Sequence, residues 1–318
     1  MAVISPVGIP VVDMRDYTHG GAAERARFVQ TLGEGLKEFG FITVENHGID
    51  QDLIRRTYAQ FEAFFKMDLE TKRQYGKIMG GQRGYTEFGS ENAKGNPIAD
   101  LKEFWHTGRE LAADHPFRAE YPDNVWPSEL PELKETVLTL YRQLDGCVDT
   151  FLFALADYFK LPQRTFADMV KDGNSIMRAI HYPPLPADAD PRAVRAAAHE
   201  DINMITMLVE ATSSGLELLT RQGEWMPITA LEGQIVVDAG DMLARVTNHV
   251  IPSTTHRVVN PADANETRYS LPFFVHPYSA CDLTALDCFV SDERPRQDPP
   301  ITAGEYLNQR LREIGLLK

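Results

Sequence analysis

The chain contains 318 residues, of which 43% are hydrophobic and 25% are charged, as is typical of a folded globular protein. Its 46 acidic and 32 basic residues give a net charge of −14, which argues against binding to nucleic acid or to an anionic membrane surface. The sequence also lacks a long apolar segment, a secretory signal pattern and a CxxC pair. These features predict a cytoplasmic protein in a reducing compartment.

The first 170 residues predict a region of helices and short strands that packs on the rest of the chain. In 22–39, apolar side chains such as Phe28 and Leu32 recur at helical spacing, and Gly40 is typical of a helix end. The other elements predicted here are strands at 9–14 and 41–44, helices at 50–66, 68–75 and 130–159, and a Gly-, Ser- and Asn-rich loop at 77–100.

The remainder of the chain, 171–318, predicts a β core that ends in a helix at 302–315. Seven or eight short strands separated by turn residues are typical of a β-sandwich or jelly roll. We therefore expect an α+β protein with a mainly β core, braced by N-terminal and C-terminal helices in one compact unit. The predicted strands are 175–182, 204–209, 215–219, 224–228, 234–238, 241–246, 255–259 and 268–276.

A candidate metal site begins with the tripeptide His199-Glu200-Asp201. Two residues apart on a strand, His199 and Asp201 point to one face and can bind adjacent positions on a metal. His256 follows 55 residues later at the start of another predicted strand, and in a jelly roll it can face the first pair across the barrel. Two histidines and one carboxylate form the facial triad typical of non-haem Fe(II) oxygenases.

A candidate acid-binding pair lies twelve residues beyond His256. Arg268 and Ser270 share one face of a predicted strand, and a guanidinium beside a hydroxyl can bind a carboxylate. An arginine that points into a barrel needs an anionic partner, because an unpaired buried charge is costly. If no protein carboxylate lies there, a bound organic acid is the natural partner.

The order of these motifs resembles the isopenicillin N synthase-like branch of Fe(II)/2-oxoglutarate-dependent oxygenases. The resemblance extends beyond HxD, the later His and RxS, and it covers nearly the whole chain. Its other parts are Ile9-Pro10-Val11-Val12-Asp13, 40–49 (GFITVENHGI), 177–184 (MRAIHYPP), Asp238-Ala239-Gly240-Asp241-Met242 and Thr247-Asn248.

The resemblance implies a double-stranded β-helix core that binds Fe(II) through His199, Asp201 and His256. It also implies that Arg268 and Ser270 bind the far carboxylate of the co-substrate 2-oxoglutarate, with Tyr182 as a further contact. The implied reaction uses O2 to decarboxylate 2-oxoglutarate to succinate and to hydroxylate, desaturate or cyclise a small molecule. One departure is Ile180, where plant members of the family often carry an asparagine, so that polar contact should be missing.

Substrate recognition is the least determined part of this interpretation. The segments 82–88 and 104–106 fall in the N-terminal region that commonly covers the iron pocket in the family. The candidate substrate contacts are Arg83, Tyr85, Trp105, Arg178 and Phe274, the last because it shares the strand parity of Arg268.

Two alternatives stay open from the residues alone. An Fe(II) oxidase of the isopenicillin N synthase or aminocyclopropane-carboxylate oxidase type carries the same triad and the same Arg/Ser pair, but it does not use 2-oxoglutarate. A β-barrel could also hold a metal or a small acid without turnover. Demand for 2-oxoglutarate would separate the oxygenase from the oxidase, and succinate formation without a primary substrate would exclude the non-catalytic barrel.

Overall fold

Two β-sheets form the centre of the protein in a computed structural model, which describes residues 8–76, 82–91, 98–187, 189–190, 192–228, 232–263 and 265–313. The strands within those ranges are Val11–Asp13 (β1), Phe41–Glu45 (β2), Gly84–Thr86 (β3), Glu103–Gly108 (β4), Ile176–Tyr182 (β5), Ala196–His199 (β6), Ile205–Val209 (β7), Leu216–Leu219 (β8), Trp225–Pro227 (β9), Gln234–Ala239 (β10), His256–Val258 (β11) and Arg268–Val275 (β12).

The α-helices lie mainly in the N-terminal half and at the C-terminal end. They are Met14–Thr18 (α1), Ala22–Phe39 (α2), Gln51–Phe65 (α3), Leu69–Arg73 (α4), Leu133–Tyr158 (α5), Ala167–Val170 (α6), Asp241–Val246 (α7) and Ala303–Glu313 (α8). None of the helices in the described ranges combines the length and the apolar character needed to cross a bilayer.

The strand order shows how the two parts of the chain share one sheet. The larger sheet runs β1-β2-β10-β7-β12-β5-β4-β3, and the smaller sheet runs β6-β11-β8-β9. The strands before α5 therefore extend both edges of a central sheet that comes from the C-terminal part. This two-sheet arrangement agrees with the expected jelly-roll core.

The end of α2 positions one wall of the cavity described below. Gly40 ends the helix in the left-handed region, with φ of +68°, which glycine adopts without strain. A Cβ atom at this position would lie 2.3 Å from the Thr254 hydroxyl, so any side chain would collide with the segment before β11. The chain then enters β2 directly, and Phe41 turns into the space between the sheets.

The long helix α5 covers the outer face of the larger sheet. It contacts α2, α3 and β12, and Leu140 and Leu144 on its inner face are fully buried. The ring of Tyr141 meets Phe273 of β12 edge-on, with centroids 4.9 Å apart, while its hydroxyl donates to the Ser175 carbonyl. The predicted helix at 130–159 is thus confirmed with slightly shorter bounds.

Two sequence predictions about secondary structure are wrong. The segment 241–246, predicted as a strand, is the helix α7. All six of its residues are buried, so no polar face reveals the helical period, although Met242, Leu243 and Ala244 are good helix formers. The second is the loop at 77–100, in which residues 84–86 form β3. The prediction also lacks β4, β6, α1 and α6; in β4 every residue is buried, so the alternation of polar and apolar residues is missing. Residues 77–81 and 92–97 of the predicted loop lie outside the described residues.

Candidate active site

A cavity between the two sheets collects most of the residues that the sequence singles out. Its walls come from both sheets: His199 and His256 belong to the smaller sheet, and Arg268 belongs to the larger sheet. The lining residues are Phe41, Lys102, Arg178, Ile180, Tyr182, Ala196, His199, Asp201, Thr206, Leu208, Leu216, Val236, Asp238, His256, Val258, Arg268, Ser270, Pro272 and Phe274.

The two histidines are neighbours on adjacent strands. His199 ends β6 and His256 begins β11, and the two are direct partners in the antiparallel register. Their ring centroids are 4.4 Å apart. The prediction that His256 faces the HxD pair across the barrel is therefore wrong. The 55-residue connection returns the chain to the strand next to β6.

Asp201 does not lie on the strand, which also differs from the prediction. Strand β6 ends at His199, and Asp201 sits in the following loop. Its carbonyl accepts a hydrogen bond of 2.7 Å from the Asp241 amide, at the start of α7. The carboxylate is thus positioned by packing against the β10–α7 junction and not by strand alternation.

The three side chains converge on a volume suitable for one ion. Asp201 Oδ1 lies 3.8 Å from His199 Nε2 and 3.7 Å from His256 Nε2, and one potential ligand atom from each residue falls within 4.8 Å of the others. Two donors that each lie about 2.1 Å from one ion, at neighbouring positions on it, are about 3 Å apart. The donors must therefore move together by less than about 1 Å to hold a single ion on one face.

Hydrogen bonds on the far side of each ring prepare the histidines for a metal. His199 Nδ1 lies 2.7 Å from the Ala197 carbonyl and His256 Nδ1 lies 3.1 Å from the Thr254 carbonyl. A carbonyl accepts only from N–H, so both protons sit on Nδ1 and each Nε2 keeps its lone pair. Burial, followed by the charge of His256, lowers the pKa of His199 to about 4, which keeps this imidazole neutral near pH 7.

The carboxylate ligand has its own support. Thr206 Oγ1 donates to Asp201 Oδ2 and in turn accepts a 3.0 Å hydrogen bond from Asn203 Nδ2. Asp201 Oδ1 is thereby left for a metal. Asp238 also lines the cavity, and burial together with the charge of Asp201 raises its pKa well above the usual range. The sequence analysis overlooked Thr206 and the side chain of Asp238.

Arg268 is a buried cation without a carboxylate partner among the described residues. Its side chain is 1% exposed. Nε donates to the Ser213 carbonyl at 3.1 Å, and Nη1 donates to Ser270 Oγ at 3.3 Å. Tyr182, the cross-strand partner of Arg268, places its ring 5.0 Å from the guanidinium carbon. The structure therefore brings together all three residues assigned to the co-substrate.

The five candidate substrate contacts divide into two groups. Arg178 and Phe274 line the cavity. Arg83, Tyr85 and Trp105 do not belong to its lining. Their side chains are 0–3% exposed and serve the core: the Trp105 ring packs edge-on against Phe64 at 4.8 Å.

The other two residues of that second group have polar partners away from the cavity. Arg83 Nη2 donates to Asn174 Oδ1 at 2.9 Å, and the Tyr85 hydroxyl donates to Glu103 Oε2 at 2.5 Å. Tyr85 belongs to β3, the edge strand of the larger sheet, and Arg83 directly precedes that strand. Their aromatic and cationic character therefore reflects packing at that edge.

The sequence analysis also missed Lys102, which lines the cavity and is 7% exposed. Its ammonium lies 2.8 Å from both Glu91 Oε2 and Asp100 Oδ2. Asp100 Oδ1 accepts a hydrogen bond from the Ala197 amide on the strand that carries His199. A single buried lysine that pairs with two residues of the predicted loop leaves no periodic pattern in the sequence, so only the tertiary structure reveals it.

Comparison with known proteins gives a consistent result over nearly the whole chain. Residues 9–129 match the family described as "non-haem dioxygenase in morphine synthesis N-terminal", and residues 173–277 match the "2OG-Fe(II) oxygenase superfamily". A 2-oxoglutarate-Fe(II) type oxidoreductase of Emericella nidulans, hxnY, is 30% identical over 316 residues, which cover 96% of this chain and 89% of the relative.

Solved structures agree in fold and sequence. A 2OG-Fe(II) oxygenase family protein from Caulobacter crescentus is 45% identical and has a TM-score of 0.87, with 99% of this chain and 100% of that chain covered. A full-length Neurospora crassa protein in complex with alpha-KG and thymine is 28% identical and has a TM-score of 0.85, with coverage of 98% and 99%. The chain thus belongs to the 2-oxoglutarate- and Fe(II)-dependent oxygenases, enzymes that couple oxidative decarboxylation of 2-oxoglutarate to oxidation of a small molecule.

Proposed function

We propose that His199, Asp201 and His256 bind the Fe(II) ion and that Arg268, with Ser270, binds the far carboxylate of 2-oxoglutarate. The observation that carries this assignment is the buried guanidinium of Arg268, which lines the same cavity as the triad and has no carboxylate partner within the described ranges. An isolated buried charge is unfavourable, and a dicarboxylic co-substrate supplies the missing anion. Tyr182 contributes a flat surface beside that guanidinium and shields it from water.

The donor set fits Fe(II) better than a structural zinc ion. Two imidazole nitrogens and one carboxylate oxygen on one side leave further coordination positions open, as in non-haem Fe(II) oxygenases. A closed zinc site would require a fourth protein ligand, and the triad is the only cluster of at least three such groups within the described ranges. When bound, iron and 2-oxoglutarate together supply the O2-dependent oxidation, with succinate and CO2 as products.

The residues of this chain contribute positioning and exclusion of water. Thr206 fixes the orientation of the Asp201 carboxylate, and the Ala197 and Thr254 carbonyls fix the two rings. Arg268 and Ser270 orient a co-substrate along the line from the clamp to the triad. Ile180, opposite Ser270 in the sheet, presents an apolar surface at the position where plant members often carry asparagine.

The primary substrate in this proposal is a small molecule that binds beside the triad. Arg178 and Phe274 are the two predicted contacts that line the cavity. The net charge of −14 disfavours nucleic acids and anionic membrane surfaces as partners, and the sparse cysteines favour a cytoplasmic location.

Calorimetric titration of the anaerobic Fe(II) protein with 2-oxoglutarate tests the clamp. Arg268→Lys should weaken 2-oxoglutarate binding roughly 10- to 100-fold, because a bidentate guanidinium contact is lost, while Fe(II) affinity should stay within about twofold. Arg195→Lys is the matched control. Arg195 is equally buried and also stacks on Tyr182, at 5.9 Å, but it pairs with Glu266 at 3.7 Å and does not line the cavity.

Equal 2-oxoglutarate affinity in Arg268→Lys and Arg195→Lys would show that the clamp is assigned to the wrong residue. A second readout is thermal stability. Because Arg268 has no carboxylate partner among the described residues, Arg268→Leu should not cause the large loss of stability expected from breaking a buried ion pair.

A further inference from the structure

The cavity wall near Arg178 carries a polar network that the proposed iron and 2-oxoglutarate contacts do not use. Arg178 Nε donates to His106 Nε2 at 2.6 Å, and Nη1 lies 3.3 Å from Glu91 Oε2. The same Glu91 oxygen accepts from Lys102, which also contacts Asp100. Arg178 and Lys102 line the cavity, whereas Glu91 and Asp100 lie behind them.

The guanidinium of Arg178 is held in a fixed orientation. Its carbon atom lies 4.3 Å from the Phe104 ring centroid and 5.2 Å from that of Phe274. With Nε and Nη1 engaged by protein acceptors, Nη2 has no partner among the described residues. The two N–H groups of Nη2 therefore remain for a ligand in the cavity that Arg178 lines, and their use requires no further ordering of the side chain.

The charges of this network balance. Burial alone would raise the pKa of Glu91, but the charges of Arg178 and Lys102 outweigh it and hold that pKa well below its usual range. Burial alone would lower the pKa of Lys102, but Glu91 and Asp100 raise it instead. The network thus places two basic side chains, Arg178 and Lys102, against two acidic ones, Glu91 and Asp100, at ion-pair distances, so it offers no excess charge to an ionic ligand.

We infer that Arg178 is the recognition residue for the primary substrate, and that this substrate is a small neutral molecule with a carbonyl-type oxygen on an apolar body. The oxygen accepts from Arg178 Nη2. Ile180, Val258 and Phe274 provide the apolar surface of the same cavity, and the Phe274 ring favours a planar group. A carboxylate would add an uncompensated buried charge to a balanced network, and an amine would face two cations. This inference rests on the proposed function and specifies the substrate class of that site.

Three compounds of similar size and different charge test the inference: benzamide, benzoate and benzylamine. Each is titrated into the anaerobic protein that already holds Fe(II) and 2-oxoglutarate, and binding is followed by the change in the visible absorption of that complex. We expect benzamide to bind more tightly than either ion. Arg178→Lys keeps the charge beside Glu91 but removes Nη2, and it should weaken benzamide binding roughly 10- to 100-fold.

Arg109→Lys is the matched control for this substitution. Arg109 is similarly shielded, pairs with Asp145 at 2.6 Å and lies 5.8 Å from the Tyr141 ring, but it is not part of the cavity wall. Arg109→Lys should therefore leave benzamide binding unchanged. Phe274→Leu, which keeps an apolar side chain, should weaken benzamide less than Arg178→Lys does.

Three results would overturn the inference: tighter binding of benzoate or benzylamine, equal benzamide affinity in Arg178→Lys and Arg109→Lys, or no benzamide binding to a protein that retains the Fe(II)–2-oxoglutarate absorption. In each case the iron and co-substrate assignment would stand. Loss of that absorption in the unmodified protein would instead contradict the proposed function.

Discussion

Replacement of Thr206 by valine tests whether the hydrogen bond to Asp201 prepares the metal site. Thr206 is 3% exposed and Asp201 is 8% exposed, so the bond between the hydroxyl and Asp201 Oδ2 is shielded from water. Valine preserves the shape of threonine but removes the donor. Hydrogen bonds to charged groups contribute about 1.5–3 kcal/mol, and loss of an outer contact to a metal ligand typically costs roughly 10- to 100-fold in metal affinity.

The expected loss lies at the lower end of that range. The hydroxyl supports the Asp201 carboxylate in both the metal-free and the metal-bound protein, so part of the lost energy cancels between the two states. We expect Thr206→Val to weaken Fe(II) binding roughly tenfold and to lower the free energy of unfolding of the metal-free protein by about 1–2 kcal/mol. Asn203 retains its hydrogen bond to the Ile205 carbonyl and should stay in place.

Anaerobic competition with a chromophoric chelator measures the Fe(II) affinity. Thr57→Val is the matched control, because Thr57 is fully buried and its hydroxyl donates to the Leu53 carbonyl within α3. That variant should bind Fe(II) like the unmodified protein. Equal Fe(II) affinity for the two variants would refute the claim that Thr206 orients the ligand.

Three further predictions test the fold and its pH dependence. Leu140→Ala in the fully buried face of α5 should lower the free energy of unfolding by about 2–5 kcal/mol in a denaturant titration; a loss below about 1 kcal/mol would contradict the packing. Gly173→Ala should lower the free energy of unfolding, because the new Cβ would lie 1.9 Å from the His276 carbonyl oxygen. Gly146→Ala, whose Cβ would have no atom within 4 Å, should stabilise α5 by up to about 1 kcal/mol. The opposite order of stability would refute this geometry. Burial lowers the pKa of His276 to about 4 from 6.5, so the unfolded chain takes up its proton first and stability should fall as the pH drops from about 6.5 to about 4. His276→Gln should reduce the dependence of stability on pH, and His19→Gln should not. Equal slopes for the two variants would contradict the lowered pKa of His276.

The elements that the sequence predicts well are those with a clear local signal. The helix at 22–39 is observed with the same bounds, because its apolar face and Gly40 act within the segment itself. Most strands of the core lie within a residue or two of their predicted bounds, since turn residues flank them. Helix α7 escapes prediction because burial on all sides leaves no polar face to show its period.

The residues of the site also divide into those that the sequence reveals and those that only the tertiary structure reveals. The sequence singles out His199, Asp201 and His256 as proposed metal ligands and Arg268 as a proposed clamp, because a facial triad and an acid-binding site require those residue types. Their spatial relation is not predictable from spacing, because the pairing of β6 with β11 depends on a long-range register. Lys102 likewise acquires its place only when distant strands assemble.

The aromatic and cationic candidates of the N-terminal region illustrate a further limit. Trp105 and Phe104 are adjacent on β4 and therefore point to opposite faces of the sheet. One packs in the core against Phe64 and the other stacks on Arg178 beside the cavity. Sequence composition alone cannot state which face is turned to the site.

The central claim is that one cavity holds Fe(II) through His199, Asp201 and His256 and 2-oxoglutarate beside it through Arg268. The most direct test is the visible absorption of the anaerobic protein after addition of Fe(II) and then 2-oxoglutarate. We predict a weak charge-transfer band that saturates at one 2-oxoglutarate per chain and is absent in His256→Ala. Iron binding without such a band would favour an oxidase that does not use 2-oxoglutarate, and failure to bind iron would contradict the triad itself.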